Sequence, residues 1–168
     1  MIRAPKDSAT ISKVTLMLKN VTSLEFEPYI KDDPIRPHLS IEFRTINGRE
    51  IYALENFADG RVQSVLCMAY STRIPINEQE LSLYSSPSGE MAIFYTIWSY
   101  LKGAGREIII KTKDRIECSR PWVNRFVTMS PKTQMAHEFH IKNGAILFSE
   151  NELTNNYEYE PTPWRMLY

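Results

Sequence analysis

Apolar and polar positions alternate most clearly in three stretches of the chain. Arg61 to Ser71 carries Val62, Val65, Leu66, Cys67, Met68 and Tyr70 and predicts a buried strand. Met91 to Leu101 is a run rich in Ile, Phe, Tyr and Trp and predicts the central strand of the same sheet. Leu39, Ile41 and Phe43 on one side of Asn47-Gly48, and Ile51 and Ala53 on the other, predict a β-hairpin over His38 to Glu55. Ile11 to Tyr29 has apolar positions at mixed spacing and reads as a helix running into a short strand, followed by a loop that Pro28, Pro34 and Pro37 enforce. Pro75 to Glu90 is polar and ends in a turn at Pro87-Ser88-Gly89.

The pattern changes after Gly103-Ala104-Gly105. In Arg106 to Ser119, Ile108, Ile109 and Ile110 favour a strand, whereas Ile109 and Ile116 with charged residues between them favour a helix, which is the expectation adopted. A strand follows over Arg125 to Met129. Next comes a helix over Pro131 to Asn143, with Ser130 as its N-cap, Pro131 at its first position and Gly144 as its stop. Strands over Ala145 to Ser149 and Asn156 to Glu160 close the chain. Without repeats, low-complexity tracts or a Gly/Ser linker, residues 1–168 read as a single α+β domain: a mixed, mostly antiparallel central sheet flanked by helices.

Composition narrows the classes. Apolar residues make up 43% and charged residues 24%, which are globular proportions. Lys and Arg total 20, and Asp and Glu also total 20, so no global positive charge exists to hold a nucleic-acid backbone or an anionic membrane. The two cysteines, Cys67 and Cys118, have neither disulfide-framework nor metal-ligand spacing, and the opening residues lack an apolar signal core. These features lead us to expect a cytoplasmic protein with no membrane span, no metal and no specific nucleic-acid binding.

Two places carry candidate chemistry. A strand, then Lys102-Gly103-Ala104-Gly105-Arg106, then a helix brings free backbone amides, a positive dipole end and two cations to one point, a geometry that binds phosphate. Between Lys102 and Arg125 seven cations face three carboxylates, so the neutral total hides a basic middle. The alternative for the glycine pair is a plain tight turn before a solvated helix. His140, on the last helix beside Phe139, is a candidate acid or base. Ser130, at the end of a strand, can present its hydroxyl to the same cleft. His137 is expected nearer solvent. Phe94, Tyr95, Trp98 and Tyr100 read as core rather than a stacking platform, and Glu150, Glu152, Glu158 and Glu160 as a solvated acidic edge. Zinc spacings, a GxSxG elbow, a phosphate-loop GxxxxGK[ST] and a dinucleotide GxGxxG are all absent.

The order of elements resembles the GCN5-related N-acetyltransferase (GNAT) fold. That family's pyrophosphate loop, Arg/Gln-x-x-Gly-x-Gly/Ala, is matched at Lys102 and Gly105 only. Its second helix often ends Tyr-x-x-x-Gly-Phe with a tyrosine that protonates the leaving thiolate; here His140 stands in the tyrosine's place before Gly144-Ala145. Over Val62 to Tyr159 the chain also resembles a shortened catalytic domain of malonyl-CoA decarboxylase, itself of the acetyltransferase fold. The blocks are Ala92-Ile93-Phe94-Tyr95-Thr96-Ile97, Thr128-Met129-Ser130-Pro131, Phe139-His140-Ile141-Lys142-Asn143-Gly144-Ala145 and Asn156-Tyr157-Glu158-Tyr159. The helical domain preceding that region in the family, and its long insertion between the second and third blocks, are missing.

The resemblance implies acetyl-CoA or another acyl-CoA as cosubstrate, its pyrophosphate on Lys102 to Arg106, and Ser130 and His140 as the catalytic pair. It implies acyl transfer to an acceptor amine first and decarboxylation of a malonyl thioester second. The reduced glycine loop leaves a noncatalytic binding or regulatory protein as a third reading.

Overall fold

A computed structural model describes residues 15–161. Among these residues eight strands form one sheet: β1 (Leu16–Val21), β2 (Arg49–Asn56), β3 (Val62–Ser71), β4 (Met91–Ser99), β5 (Arg125–Thr128), β6 (Ser130–Pro131), β7 (Ile146–Glu150) and β8 (Thr154–Tyr159). The helices are α1 (Glu27–Ile30), α2 (Ile41–Thr45), α3 (Glu78–Tyr84), α4 (Ala104–Ser119) and α5 (Gln134–Lys142). The strand order is β1-β2-β3-β4-β5-β8-β6, with β7 paired along the opposite edge of β8. Among the described residues only β4 and β5 run parallel, joined through the crossover helix α4.

The sheet is covered on both faces, which is why β3 and β4 are apolar almost throughout. On one face, Ala104, Ile108, Ile109 and Ile116 of α4 pack with Leu66, Met68, Phe94, Tyr157 and Tyr159. On the other, Phe26, Ile30, Ile41 and Leu81 from the short helices pack with Ile51, Val65, Ile93, Tyr95 and Trp98. Ile108 is fully buried, so Ile108→Ala would cost about 2–5 kcal/mol through lost contact and the cavity left behind. Among the described residues no helix is long and apolar enough to cross a membrane.

The sequence expectations for β3, β4, α4 and β5 hold within a few residues. Four others are corrected. The helix-then-strand order near the start is reversed: β1 comes first, pairing antiparallel with β2, and a 3-10 turn and α1 follow; residues 11–14 lie outside the described residues. The hairpin before Asn47-Gly48 is absent. Ser40 caps α2 by accepting from Phe43 N–H, and Ile41 and Arg44, one helical turn apart, point into the core. Asn47 and Gly48 both take positive φ but connect a helix to a strand, and a Cβ on Gly48 would stand 2.6 Å from the Ser86 carbonyl carbon. The polar stretch after Pro75 contains α3, capped by Asn77 on Glu80 N–H, with Leu81 as its buried anchor. Helix α5 begins later than expected: Thr133 caps it, and Ser130-Pro131 is instead a two-residue strand paired with Asn155 and Thr154.

Candidate functional site

The opening in the sheet originates in β4. Its first four residues pair with Arg125 to Thr128, and the ladder ends with Met129 N–H donating to Phe94 O at 3.0 Å. On the β3 side Met68 pairs with Phe94 and Cys67 with Thr96, so Tyr95 bulges out without a partner. Beyond the bulge β4 runs on to Ser99, while the chain after Thr128 turns away to pair with β8. The separation leaves a groove of about 380 Å³, lined by Tyr95 to Ser99, by Pro34 and Ile35, and by Ser130, Ala136, Phe139 and His140. Tyr100 N–H donates to Gln63 O, so alternation along the strand directs the amides of Ile97 and Ser99 into the groove.

Ser130 and His140 meet at its floor. Pairing with β8 fixes Ser130, and its Oγ lies 2.7 Å from Thr128 Oγ1 and 3.0 Å from His140 Nε2. His140, on the last turn of α5, stacks on Tyr157 at 4.9 Å between ring centres and places Nδ1 2.7 Å from the Tyr159 hydroxyl. It is 5% exposed, and burial pushes its imidazole down to about 4, so it is neutral at pH 7. Burial also pushes the Tyr159 phenol well above its ordinary value, so it keeps its proton.

The result is one hydrogen-bonded chain, Tyr159–His140–Ser130–Thr128. Ser130 Oγ–H donates to Thr128 Oγ1, which leaves Nε2–H to donate to Ser130 and Nδ1 to accept from the Tyr159 hydroxyl. A hydrogen-bonded chain ending on an imidazole is the kind of arrangement that can move a proton. No carboxylate contacts His140 among the described residues, so the arrangement is not a nucleophile–base–acid triad.

The other predicted residues sit at the far end of the groove. Gly103 is the left-handed N-cap of α4 at φ 89, which only glycine adopts readily. Ala104 N–H bonds back to Leu101 O and Glu107 N–H to Gly103 O, leaving the amides of Gly105 and Arg106 without a backbone acceptor at the positive end of a 16-residue helix. Ala104 and Gly105 are buried, with Gly105 lining the groove; Lys102, Gly103 and Arg106 are exposed. Four of the five other cations of the basic middle are engaged elsewhere: Lys113 donates to Glu160 O, Arg115 to Leu18 O, Arg120 to Pro87 O, and Arg125 grips Glu158 bidentately at 2.8 and 2.7 Å. Glu158 is thus half-buried and paired, not a solvated edge. His137 is half-buried, its Nδ1 3.0 Å from the Tyr157 hydroxyl.

Sequence reasoning did not single out Tyr159, Thr128 or Arg36. Tyr159 stood in the final block, two residues from Tyr157 on the same strand face, and that period was its one available signal. No group of three His, Cys, Asp or Glu among the described residues is close enough to hold a metal ion.

A mixed sheet that parts between two parallel strands, with a helix starting at the mouth of the gap, defines the GNAT fold. Comparison with solved structures bears this out. The chain superposes on malonyl-CoA decarboxylase from Cupriavidus metallidurans with a TM-score of 0.62 at 15% identity, covering 87% of this chain and 61% of that one. It matches a GNAT-family acetyltransferase from Listeria monocytogenes at 0.59 and 10% identity, over 90% of this chain and 98% of that one. It matches AtaTR bound with AcCoA at 0.60 and 12% identity, over 90% and 96%. No protein-family model and no curated protein matches in sequence. At these identities the shared property is the fold, a single GNAT-like α+β arrangement that also houses malonyl-CoA decarboxylase, and the chain spans less than two thirds of that decarboxylase.

Proposed function

We propose that this protein is an acyl-CoA-dependent acyltransferase of GNAT type in which His140, through Ser130, handles the proton of the reaction. The supporting observation is one continuous groove: it starts at Gly105, where α4 offers unused amides, runs along β4 past the inward amides of Ile97 and Ser99, and ends at the bonded Ser130–His140 pair. In this reading Lys102 to Arg106 take the diphosphate, β4 takes the pantetheine arm, and the thioester stops beside Ser130. The acceptor amine attacks the thioester carbonyl carbon, the C–S bond breaks, and the proton lost by nitrogen passes through Ser130 and His140 to the thiolate. Burial keeps the imidazole neutral, so one ring nitrogen carries no proton and can accept one in passing.

A second reading, decarboxylation of a malonyl-type thioester, is favoured by the Ser130–His140 contact itself. Two donors sit on the floor of an apolar groove, where Ser130 would hold the thioester enolate after CO2 leaves and His140 would supply the proton to carbon.

Titration of the full chain with coenzyme A and acetyl-CoA tests the shared premise, since saturable heat supports it and its absence leaves a noncatalytic protein of this fold. Incubation with malonyl-CoA then separates the chemistries. Acetyl-CoA formed without an acceptor establishes decarboxylation; intact malonyl-CoA, with acetyl-CoA consumed only when an amine is added, establishes transfer.

A further inference from the structure

Where β4 and β5 part, two backbone carbonyls lose their ladder partners: Tyr95 O at the bulge and Met129 O at the end of β5. Both are taken by one side chain. Arg36 Nη1 donates to Tyr95 O and, at 3.4 Å, to Thr96 Oγ1, while Nη2 donates to Met129 O at 3.1 Å. The guanidinium is buried, and its charge is met by Glu78 Oε2 3.2 Å from Nε.

Arg36 is itself held from both sides. Its N–H donates to Asp33 Oδ1 at 2.8 Å, and its carbonyl accepts from Arg44 Nη2 at 2.6 Å, with Arg44 and Asp33 forming a fully buried ion pair. Pro34 and Ile35, which wall the groove, belong to the same clamped turn.

A planar fork of fixed donors spanning two carbonyls sets the distance between them, which a flexible ammonium does not. We propose that Arg36 is a positioning residue: a wedge that stands in for the missing ladder bond, keeps β4 and β5 at a fixed separation, and thereby sets the width of the groove and the aim of the Ile97 and Ser99 amides. The wedge is read from geometry alone; its effect on a coenzyme A ester rests on the function proposed above.

The test uses the full chain as wild type, Arg36→Lys, Arg36→Met and, as a stability control, Leu81→Ala, which opens a cavity in the same core layer away from the groove. Thermal unfolding, calorimetric titration with coenzyme A and backbone amide NMR are recorded at a temperature where each variant is folded. The expected result is that both Arg36 variants shift the Ile97 and Ser99 resonances and weaken coenzyme A at least about tenfold, while Leu81→Ala lowers the melting temperature with affinity and those resonances unchanged. Wild-type resonances at Ile97 and Ser99 in folded Arg36→Met overturn the wedge, as does a loss of affinity no larger than in Leu81→Ala. Should Arg36→Met fail to fold, Arg36→Lys, which keeps the charge beside Glu78, carries the same comparison. If wild type itself takes up no coenzyme A, the functional reading fails, and the amide resonances still decide the wedge.

Discussion

Ser130 Oγ stands 3.0 Å from His140 Nε2, although one is on a two-residue strand and the other on the last turn of the following helix. Because these residues act through one hydrogen-bonded chain, their removal is not additive. On the proposed function, His140→Ala and Ser130→Ala are expected to lower turnover of an acyl-CoA thioester by about 10²–10⁴-fold, and the double variant no further than the worse single one. Steady-state kinetics on the three variants check this; a double variant whose loss is the product of the two single losses would contradict a shared relay.

Tyr159→Phe removes a single oxygen, the partner of His140 Nδ1. A buried hydrogen bond of this kind contributes about 1 kcal/mol, so stability should fall by that order and turnover by up to about tenfold. Nitrogen NMR of His140 should report a changed tautomer balance in the variant. An unaltered imidazole signal would detach Tyr159 from the relay.

The pH dependence of stability has a worked sign. An imidazole that titrates near 6.5 when unfolded and at about 4 when folded adds stability above pH 6.5 that is lost as pH falls toward 4. The loss amounts to about 3 kcal/mol over that window. Urea unfolding at pH 7 and pH 4.5 should show a steeper decline for wild type than for His140→Gln, which has nothing to protonate. Parallel declines would mean that His140 is more accessible than its 5% exposure implies.

Gly105 marks the far end of the groove. A Cβ there would meet the Phe139 ring at 3.4 Å, an ordinary contact, and glycine within a helix costs about 0.5–1 kcal/mol relative to alanine. Gly105→Ala should therefore hold or slightly raise the melting temperature. Gly105→Leu, pushed into the groove, should keep the fold and lose coenzyme A affinity about tenfold or more. Calorimetry on both variants decides whether ligand passes this point.

The Asp33–Arg44 pair is buried on both sides, so breaking it leaves an uncompensated charge. Asp33→Ala should cost about 3–5 kcal/mol in denaturant unfolding. Arg44 also donates to Cys67 Sγ at 3.2 Å, and burial pushes that thiol up to about 11, so Cys67 should resist alkylation in the folded protein while the exposed Cys118 reacts.

Much of the architecture was legible because it is local. β3 and β4 announce themselves through β-branched and aromatic runs, and in α4 the charged residues at helical spacing between Ile109 and Ile116 compete with a strand-like run, Ile108 to Ile110, before deciding for a helix. The four family-like blocks put Ser130 and His140 side by side as candidates before any geometry was known. Elements whose signal is weaker than their surroundings were not legible. In α2 the alternation of Leu39, Ile41 and Phe43 imitates a strand, yet Arg44 reaching Asp33 and the Ser40 cap decide for a helix. In α3 a single buried residue, Leu81, anchors an otherwise polar helix, too little periodicity to read. At Ser130-Pro131 the capping signature was sound chemistry at the wrong residue, since pairing with Asn155 and Thr154 draws the segment into the sheet and passes the cap to Thr133.

By itself, then, the sequence determined β3, β4 and the elements from α4 onward to within a few residues, the two-sided burial of the central strands, and the residue types available at the cleft, because each of these follows from the period of apolar side chains and from caps a few residues away. Only the tertiary structure decided that β4 and β5 part after Phe94, that Tyr159 supports His140, and that Arg36 fills the breach. Those outcomes depend on hydrogen bonds between groups as far as 93 residues apart, where the carbonyls left unpaired by a bulge are matched to donors that no local pattern specifies.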